Sequence, residues 1–578
     1  MKSLEDILNS PIIVELEHFA SELEKFMDLS EDNLQEYIDF IHKSKYIQSR
    51  DNFKNLLIFL ANVDHYRPKS NQCVLRILDS IQIYMTQFHF SSFDLTTIFD
   101  SCYHLLYYLF YKGFIEYSMI LLKAKSNQTL FGYFSEVIRK KSPKDYEEMT
   151  KKHPWILRII EKSDLTDYHN RCLKGFNSDY CLEVIRNDDY DQFIDLLRKN
   201  CFDFTSNIPK NIYMINEHFV PDDNITYIDY AAFYGSLKIF KFMILEVPYI
   251  PKLTQILALN GGHSEIIHIL EEKLGKNSYA DLKYLSFSNI FNFHRYNVIS
   301  YLRDVHNFTF PPCALAISVC YYNFKFTKEI FEDNKDNIEE LLSEPDEFGW
   351  HSIHWASRNG NTLMIKFLLS FKDKIDVNRK TDNGTSALLL ACQHMNLEIV
   401  KLLCNCKDID LNCKDPTGFT PFNHVCDNGD LSIVKYFLEE IFPFNNNFDP
   451  NIYNEDHEYP LHRAAQNDQN DVVMYLLKHK DIIDVNSKDI YDWTFFHWIG
   501  ENTNLTLLKE LIHQNLLENF DVNCQNNQGN TALHLIFHST DADFLKEMFF
   551  TFLEIPQVDI NIKNKSGVYL FHFIYRHL

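Results

Sequence analysis

The residues best suited to chemistry gather in one stretch of the second half: Cys404-Asn405-Cys406, Cys413, His424 and Cys426. Thiolates and an imidazole at that loose spacing could hold a zinc ion. The surrounding apolar pattern puts them on a helix, a loop and a following helix, so buried free thiols are the plainer reading. His351 and His354 lie three apart on one helix face, where they could form half a metal site or serve as hydrogen-bonding histidines. Asp188-Asp189-Tyr190-Asp191 lacks the Gly and Glu of a calcium loop and reads as a solvated helix start. No Gly-x-Ser-x-Gly elbow, His-Glu-x-x-His helix, Walker loop or kinase signature set occurs. No catalytic, cofactor-binding or metal-binding residue is assigned, and the chain reads as a non-enzyme.

Composition narrows the classes further. At 578 residues the chain is long enough for about four domains. Lys+Arg 56 against Asp+Glu 80 gives a net charge of −24, a field that repels phosphates, so nucleic acid is not an expected partner. Only 15 glycines are present, which argues against Gly-rich phosphate loops. The start, Met1-Lys2-Ser3-Leu4-Glu5-Asp6, puts two acids where a secretory signal needs an apolar run. The longest uncharged stretch, Val305 to Phe324, contains His306, Asn307, Pro311 and Pro312 and fits a loop and a short helix, not a membrane span. Thirteen scattered cysteines read as reduced thiols. A cytoplasmic protein is expected, with the nucleus also open to it.

The elements that position these residues are legible from a repeat. Asp-aliphatic-Asn recurs as Asp376-Val377-Asn378, Asp410-Leu411-Asn412, Asp484-Val485-Asn486, Asp521-Val522-Asn523 and Asp559-Ile560-Asn561, with Asp449-Pro450-Asn451 filling the gap. Successive spacings are 34, 39, 35, 37 and 38 residues. A second pattern runs in phase: Ser352-Ile353-His354-Trp355-Ala356, Thr420-Pro421-Phe422-Asn423-His424, Tyr459-Pro460-Leu461-His462-Arg463-Ala464-Ala465, Thr494-Phe495-Phe496-His497 and Thr531-Ala532-Leu533-His534. Thr420 can cap a first helix, with Pro421 where a missing N–H costs nothing. Ile353, Phe422, Leu461 and Leu533 are its expected buried position. Ala356, Ala391 and Ala464 let neighbouring helices approach, and Asn359-Gly360 and Asn428-Gly429 end the helix in a left-handed residue. A second apolar helix follows, as in Leu397–Leu403 and Leu431–Leu438. The Asp-x-Asn step and Gly384, Gly418 or Gly529 bracket a hairpin.

This pattern resembles the ankyrin repeat, whose signature is Thr-Pro-Leu-His-x-Ala at a period of about 33 residues. The resemblance implies an all-α solenoid with β-hairpin loops over 346–578, of about six and a half repeats. Departures are visible. The Thr slot holds His351, Ser386, Tyr459 and Tyr569, and the His slot holds Leu389 and Asn423. The hairpin Gly is replaced by His457 and Asp492, and Phe442–Asn447 is an insertion, so an irregular array of reduced stability per repeat is expected. From Gly567 a seventh unit begins with one helix, either a cap or an apolar surface for a partner.

Degenerate helix pairs are expected over 201–345: around Thr226–Leu237, Leu257–Leu270, Ser286–Leu302 and Cys313–Phe331, stacked without hairpins. Residues 1–200 show amphipathic runs such as Phe53–Ala61 and Val74–Tyr84 and read as an irregular α-helical domain. Cys181–Ile194 followed by Tyr230–Gly235 is similar to an uncharacterised helical domain that precedes the array in protozoan-parasite ankyrin proteins. That likeness implies architecture only.

In ankyrin arrays the hairpin tips and the exposed edge of the first helix form a concave face that binds other proteins. Mapped by position, that face would include Phe348, Trp350, Arg358, Asp382, Phe419, Glu455, Asp456, Glu458, Tyr491 and Trp493. Trp350, Phe419 and Trp493 are either hot-spot anchors or core between hairpins. The acidic tips Glu455, Asp456 and Glu458 suit a basic partner, or are merely solvated. The expected function is a protein–protein interaction scaffold. The alternative is an adaptor whose N-terminal helical domain recruits a second factor, such as a ubiquitin-ligase or trafficking component, and the remote alternative is an enzyme hidden in the N-terminal region.

Overall fold

The computed structural model describes residues 10–67, 70–100, 102–152, 168–169, 172, 180–199, 203–204, 206–208, 225–247, 249–275, 290–291, 293–346, 349–371, 374–517, 520–538 and 542–567. Glu347, Phe348, the first part of Ser286–Leu302 and everything after Gly567, including Tyr569, lie outside the described residues. The chain divides into two compact units, one of residues 17–310 and 321–326, the other of residues 1–16, 311–320 and 327–578.

In the first unit, helices Arg50–Tyr66, Asn71–Gln87, Tyr103–Tyr111 and Gln128–Lys141 bury one face each, with Phe53, Leu57, Leu78, Leu105, Phe131 and Phe134 fully enclosed. Ser49 and Asn127 cap two of them through their side chains. The acidic run at 188–191 also caps helices: Asp189 accepts from Gln192 N at 3.1 Å, and Asp188 accepts from the amides of Lys238 and Ile239 at 3.1 and 3.0 Å. Helices Tyr227–Tyr234 and Leu237–Glu246, then Lys252–Gly261 and Ser264–Leu274, are pairs joined without hairpins, with Gly235 and Gly262 supplying the left-handed stops at φ 74° and 72°.

The second unit is a stack of helix pairs. First helices Ser352–Arg358, Ala387–Gln393, Pro421–Asn428, Pro460–Gln466, Phe495–Glu501 and Ala532–Leu535 pack each on the next, and Ala314–Cys320 precedes them. Ile353, Phe422, Leu461 and Leu533 are buried in them, and Ala356, Ala391 and Ala464 are fully enclosed where helices approach. Gly429 ends Pro421–Asn428 at φ 83°. The hairpins are tight turns: Asp415 N bonds Phe419 O at 3.0 Å and Gly418 N bonds Asp415 O at 3.0 Å, while Lys380 and Ser386 form one isolated bridge. No extended strand occurs among the described residues. The expected β-hairpins are thus reduced to their turn bonds, because each arm is only a few residues long.

Two side-chain devices lock one repeat to the next. In the Asp-aliphatic-Asn step, each Asp Oδ1 accepts from the Asn amide two residues on, as at 3.0 Å for Asn378 and 2.9 Å for Asn451. The Asn side chain then reaches forward: Asn451 Nδ2 donates to Ile482 O at 2.7 Å and its Oδ1 accepts from Asp484 N at 2.8 Å. The recurring His is the second device. His497 Nδ1 accepts from Thr494 N at 3.0 Å, so its Nε2–H donates to Asn530 O at 3.1 Å. His354 and His462 make the same bridge to Arg379 O and Ser487 O. The insertion at 442–447 is absorbed where the second helix continues past Leu431–Lys435 as a π-turn, Tyr436–Ile441, with Phe442 N bonding Phe437 O at 2.9 Å.

Candidate protein-binding surface

Hairpin tips of neighbouring repeats are joined by main-chain bonds: Glu455 N to Thr417 O, Ile490 N to Asp456 O at 3.1 Å, Asn527 N to Tyr491 O at 2.9 Å, and Lys565 N to Gln528 O at 3.0 Å. These bonds fix the side chains that the tips present. Between repeats that contain Asp456, Tyr491 and Asn527, a cavity of about 530 Å³ opens. Four of the residues mapped from sequence line it: Asp456, Glu458, Tyr491 and Trp493. Asp489, Trp498, Gln466, Asn527 and Gln528 complete the wall.

The four lining residues differ in character. Tyr491 is 54% exposed, Trp493 is half-buried against Trp498 with rings 4.7 Å apart, and Asp456 is exposed. Glu458, expected at a solvated tip, is buried. Its carboxylate accepts from Asn454 Nδ2 at 2.7 Å and pairs with Arg463 at 3.2 Å, because the residue turns in under the hairpin instead of standing on it. Asp489 closes its own turn by accepting from Tyr491 N and Trp493 N, both at 2.8 Å. Burial pushes the Asp489 carboxyl above its usual range despite those bonds, and the charges of Glu458 and Asp492 add to the rise.

The remaining mapped residues sit elsewhere on the stack. Trp350 is half-buried on Trp355 at 4.5 Å, and Arg358 lies over the Trp355 ring at 5.5 Å. Asp382 is exposed, with its carboxylate over Gly349. Phe419 is half-buried between His424 and the Arg463 guanidinium, which reaches on to Asp427 at 2.6 Å. Glu455 is exposed, with its amide bonded to Thr417 O. Sequence mapping did not single out Trp355, Trp498, Asp346, Asp415 or Asp489. A signal was present: Asp, four residues to an aromatic, and five more to a second ring, at Asp346/Trp350/Trp355, Asp415/Phe419/His424 and Asp489/Trp493/Trp498.

The groups weighed for chemistry are committed to structure. Burial holds the Cys404 thiol up at about 12 and Cys413 at about 11, and Cys426 is likewise raised. His424 Nε2 pairs with Asp415 at 2.8 Å, and Asp415 is held near 2 because hydrogen bonds from His424, Thr417 and the Phe419 amide outweigh its burial. Burial also holds His354, bridged through both ring nitrogens, down at about 4. Among the described residues no three His, Cys, Asp or Glu side chains converge as a metal-ligating group. In the first unit, His104 Nε2 stands 2.7 Å from Asp64 Oδ1 near Cys102, all buried. Burial and the Asp64 charge push the Cys102 thiol well up, which is opposite to what a nucleophile needs. No described helix is long and apolar enough to cross a membrane.

The family model for ankyrin repeats (3 copies) matches residues 315–415 and 407–489, so this chain carries ankyrin repeats. The human transient receptor potential cation channel subfamily A member 1 is 28% identical over 131 residues, 23% of this chain and 11% of that protein. Alpha-latrotoxin-Lh1a of Latrodectus hasselti is 30% identical over 101 residues, 17% of this chain and 7% of that protein. The chain therefore spans a small part of the curated relatives it matches. The human ASB11 ankyrin repeat domain aligns over 38% of this chain and 90% of that one, at 18% identity and a TM-score of 0.32. The ankyrin repeat domain of Bcl-3 aligns over 40% and 96%, at 17% identity and a TM-score of 0.33.

Proposed function

We propose that this chain is a non-enzymatic scaffold that binds a protein partner across the hairpin tips and first helices of its ankyrin array. The observation that carries this reading is the convergence of Asp456, Tyr491 and Trp493 on one cavity at the tips, with aromatic surface inside a polar rim. The tips are preordered by their main-chain bonds, so docking costs little ordering entropy. The chain's net charge of −24 favours a basic protein surface over nucleic acid. Phe348, Trp350, Arg358, Asp382, Phe419, Glu455 and Glu458 would extend the contact area or support it. Residues 1–200 and 201–345 would form the helical domain and degenerate pairs that precede arrays of the protozoan-parasite type, in a cytoplasmic protein. The test is affinity capture with the full chain, followed by a hydrogen-exchange footprint of the complex. Protection of the hairpins between 382 and 528 is expected. A footprint confined to residues 17–310 would replace this reading with that of an adaptor working through its helical unit.

A further inference from the structure

The aromatic slot between hairpin and first helix is built three times in the array, and two of the three carry their own arginine. At the first, Trp355 Nε1–H donates to Asp346 Oδ2 at 2.7 Å, and Arg358 lies 5.5 Å over the Trp355 ring. At the second, the His424 ring nitrogen pairs with Asp415 Oδ2 at 2.8 Å, and Arg463 lies 5.0 Å over Phe419. The third slot has the same framework, Asp489, Trp493 and Trp498 at identical offsets, yet among the described residues it has neither the ring-to-carboxylate bond nor the cation. Trp498 Nε1 is buried with no acceptor among the described residues. The hydrogen bonds to the Asp489 carboxylate both fall on Oδ1, and no described residue donates to Oδ2. Glu501 stands where the first slot has Arg358, and Leu535 where the second has Arg463. Among the described residues no lysine or arginine covers Tyr491, Trp493 or Trp498.

In place of a cation, this slot has the cavity of about 530 Å³, within the usual range of about 300–1,000 Å³ for ligand sites. Three rings and the carboxylates of Asp456, Glu458 and Asp489 line it, and among the described residues only Glu458 has an internal cation, Arg463. Rings beside unpaired carboxylates attract a cation through the ring quadrupole and through charge at once. Both sister slots hold arginine, whose flat guanidinium stacks and forks where an ammonium does neither. We propose that this cavity takes an arginine side chain of a partner polypeptide, with its guanidinium on the Trp493–Trp498 pair and against Asp489. The proposal rests on the scaffold reading and adds the chemistry of what is recognised.

The chain's five tryptophans make fluorotryptophan NMR of the full-length protein a direct assay. The probes are acetyl-Gly-Arg-Gly-amide and its lysine and citrulline counterparts. The Arg tripeptide should move the Trp493 and Trp498 resonances with half-saturation near ~1 mM, leaving Trp350 and Trp355 in place. Citrulline, which keeps the shape without the charge, should bind at least tenfold more weakly, and lysine several-fold more weakly. Asp489→Asn retains the Oδ1 acceptor that closes the turn and should cost tenfold or more, with the Trp350 and Trp355 signals reporting an intact array. Absence of shifts at Trp493 and Trp498, equal binding of citrulline or lysine, or unchanged binding by Asp489→Asn overturns the proposal. The scaffold reading fails separately: a full chain that captures no partner yet binds the Arg tripeptide keeps the pocket and loses the scaffold. A chain that captures its partner but ignores the tripeptide does the reverse.

Discussion

Acid should loosen the array in a way that counts its histidines. His354, His462 and His497 are 0%, 1% and 1% exposed, and burial holds each near 4, against an ordinary 6.5. Each Nδ1 is committed as an acceptor for the cap amide of its own helix. A proton there would break the cap, so the folded imidazole stays neutral while the unfolded one charges. Between pH 6.5 and about 4 the unfolded chain thus binds more protons, and stability that is complete above 6.5 is lost as the pH falls. From pH 7.5 to 5.5 each histidine costs about 1.3 kcal/mol, and the three together cost about 4 kcal/mol, roughly a thousandfold in the opening equilibrium when the array opens as one. Hydrogen exchange of the full chain, corrected for intrinsic rates, reads this in peptides covering Ser352–Arg358, Pro460–Gln466 and Phe495–Glu501. His462→Asn should remove its own share of the pH dependence, since Asn423 fills the same slot by accepting from Thr420 N at 3.0 Å. Opening energies that do not fall between pH 7.5 and 5.5, or that fall equally in His462→Asn, would refute the reasoning.

Other perturbations follow from the same contacts. Gly500→Ala puts a Cβ 2.2 Å from Ala532 O, so it should destabilise the fifth and sixth repeats by about 2 kcal/mol or more, read as a lower melting temperature. Asn451→Ala removes both bonds that tie its repeat to Ile482 O and Asp484 N and should cost about 1–2 kcal/mol, seen as faster exchange at 482–486. Arg463→Met leaves Glu458 buried without its cation and uncovers Phe419; a loss of about 1–3 kcal/mol by chemical denaturation is expected.

Much of the array was legible because repetition averages out local ambiguity. Thr420-Pro421, the buried Phe422 and Leu461, and the enclosed alanines hold the places their spacing assigns. The Asp-aliphatic-Asn step was legible as a period, but its work as a clamp needs two repeats side by side and cannot be read from one. His457 and Asp492 take φ of 55° and 60° in the hairpin Gly slot, so the turn survives residues that disfavour it. Glu458 misled because its neighbours Glu455 and Asp456 are exposed tips, while the chain turns inward at 458. The cavity itself was only half visible. Tyr491 and Trp493 were placed by position in the repeat, whereas Trp498 and Asp489 belong to a pattern that becomes meaningful once three slots are compared. Before residue 200 no repeat supplies such averaging, and helical periodicity gives elements without their partners.

The contact surface can be tested with a benzophenone amino acid replacing Tyr491 in the full chain and, as a comparison, replacing Phe444, which is 86% exposed at the insertion. Irradiation in native extract should give one discrete protein adduct from position 491 and none from 444. An adduct from 444 with none from 491, or none from either in a chain that still captures its partner, would contradict binding through the hairpin tips.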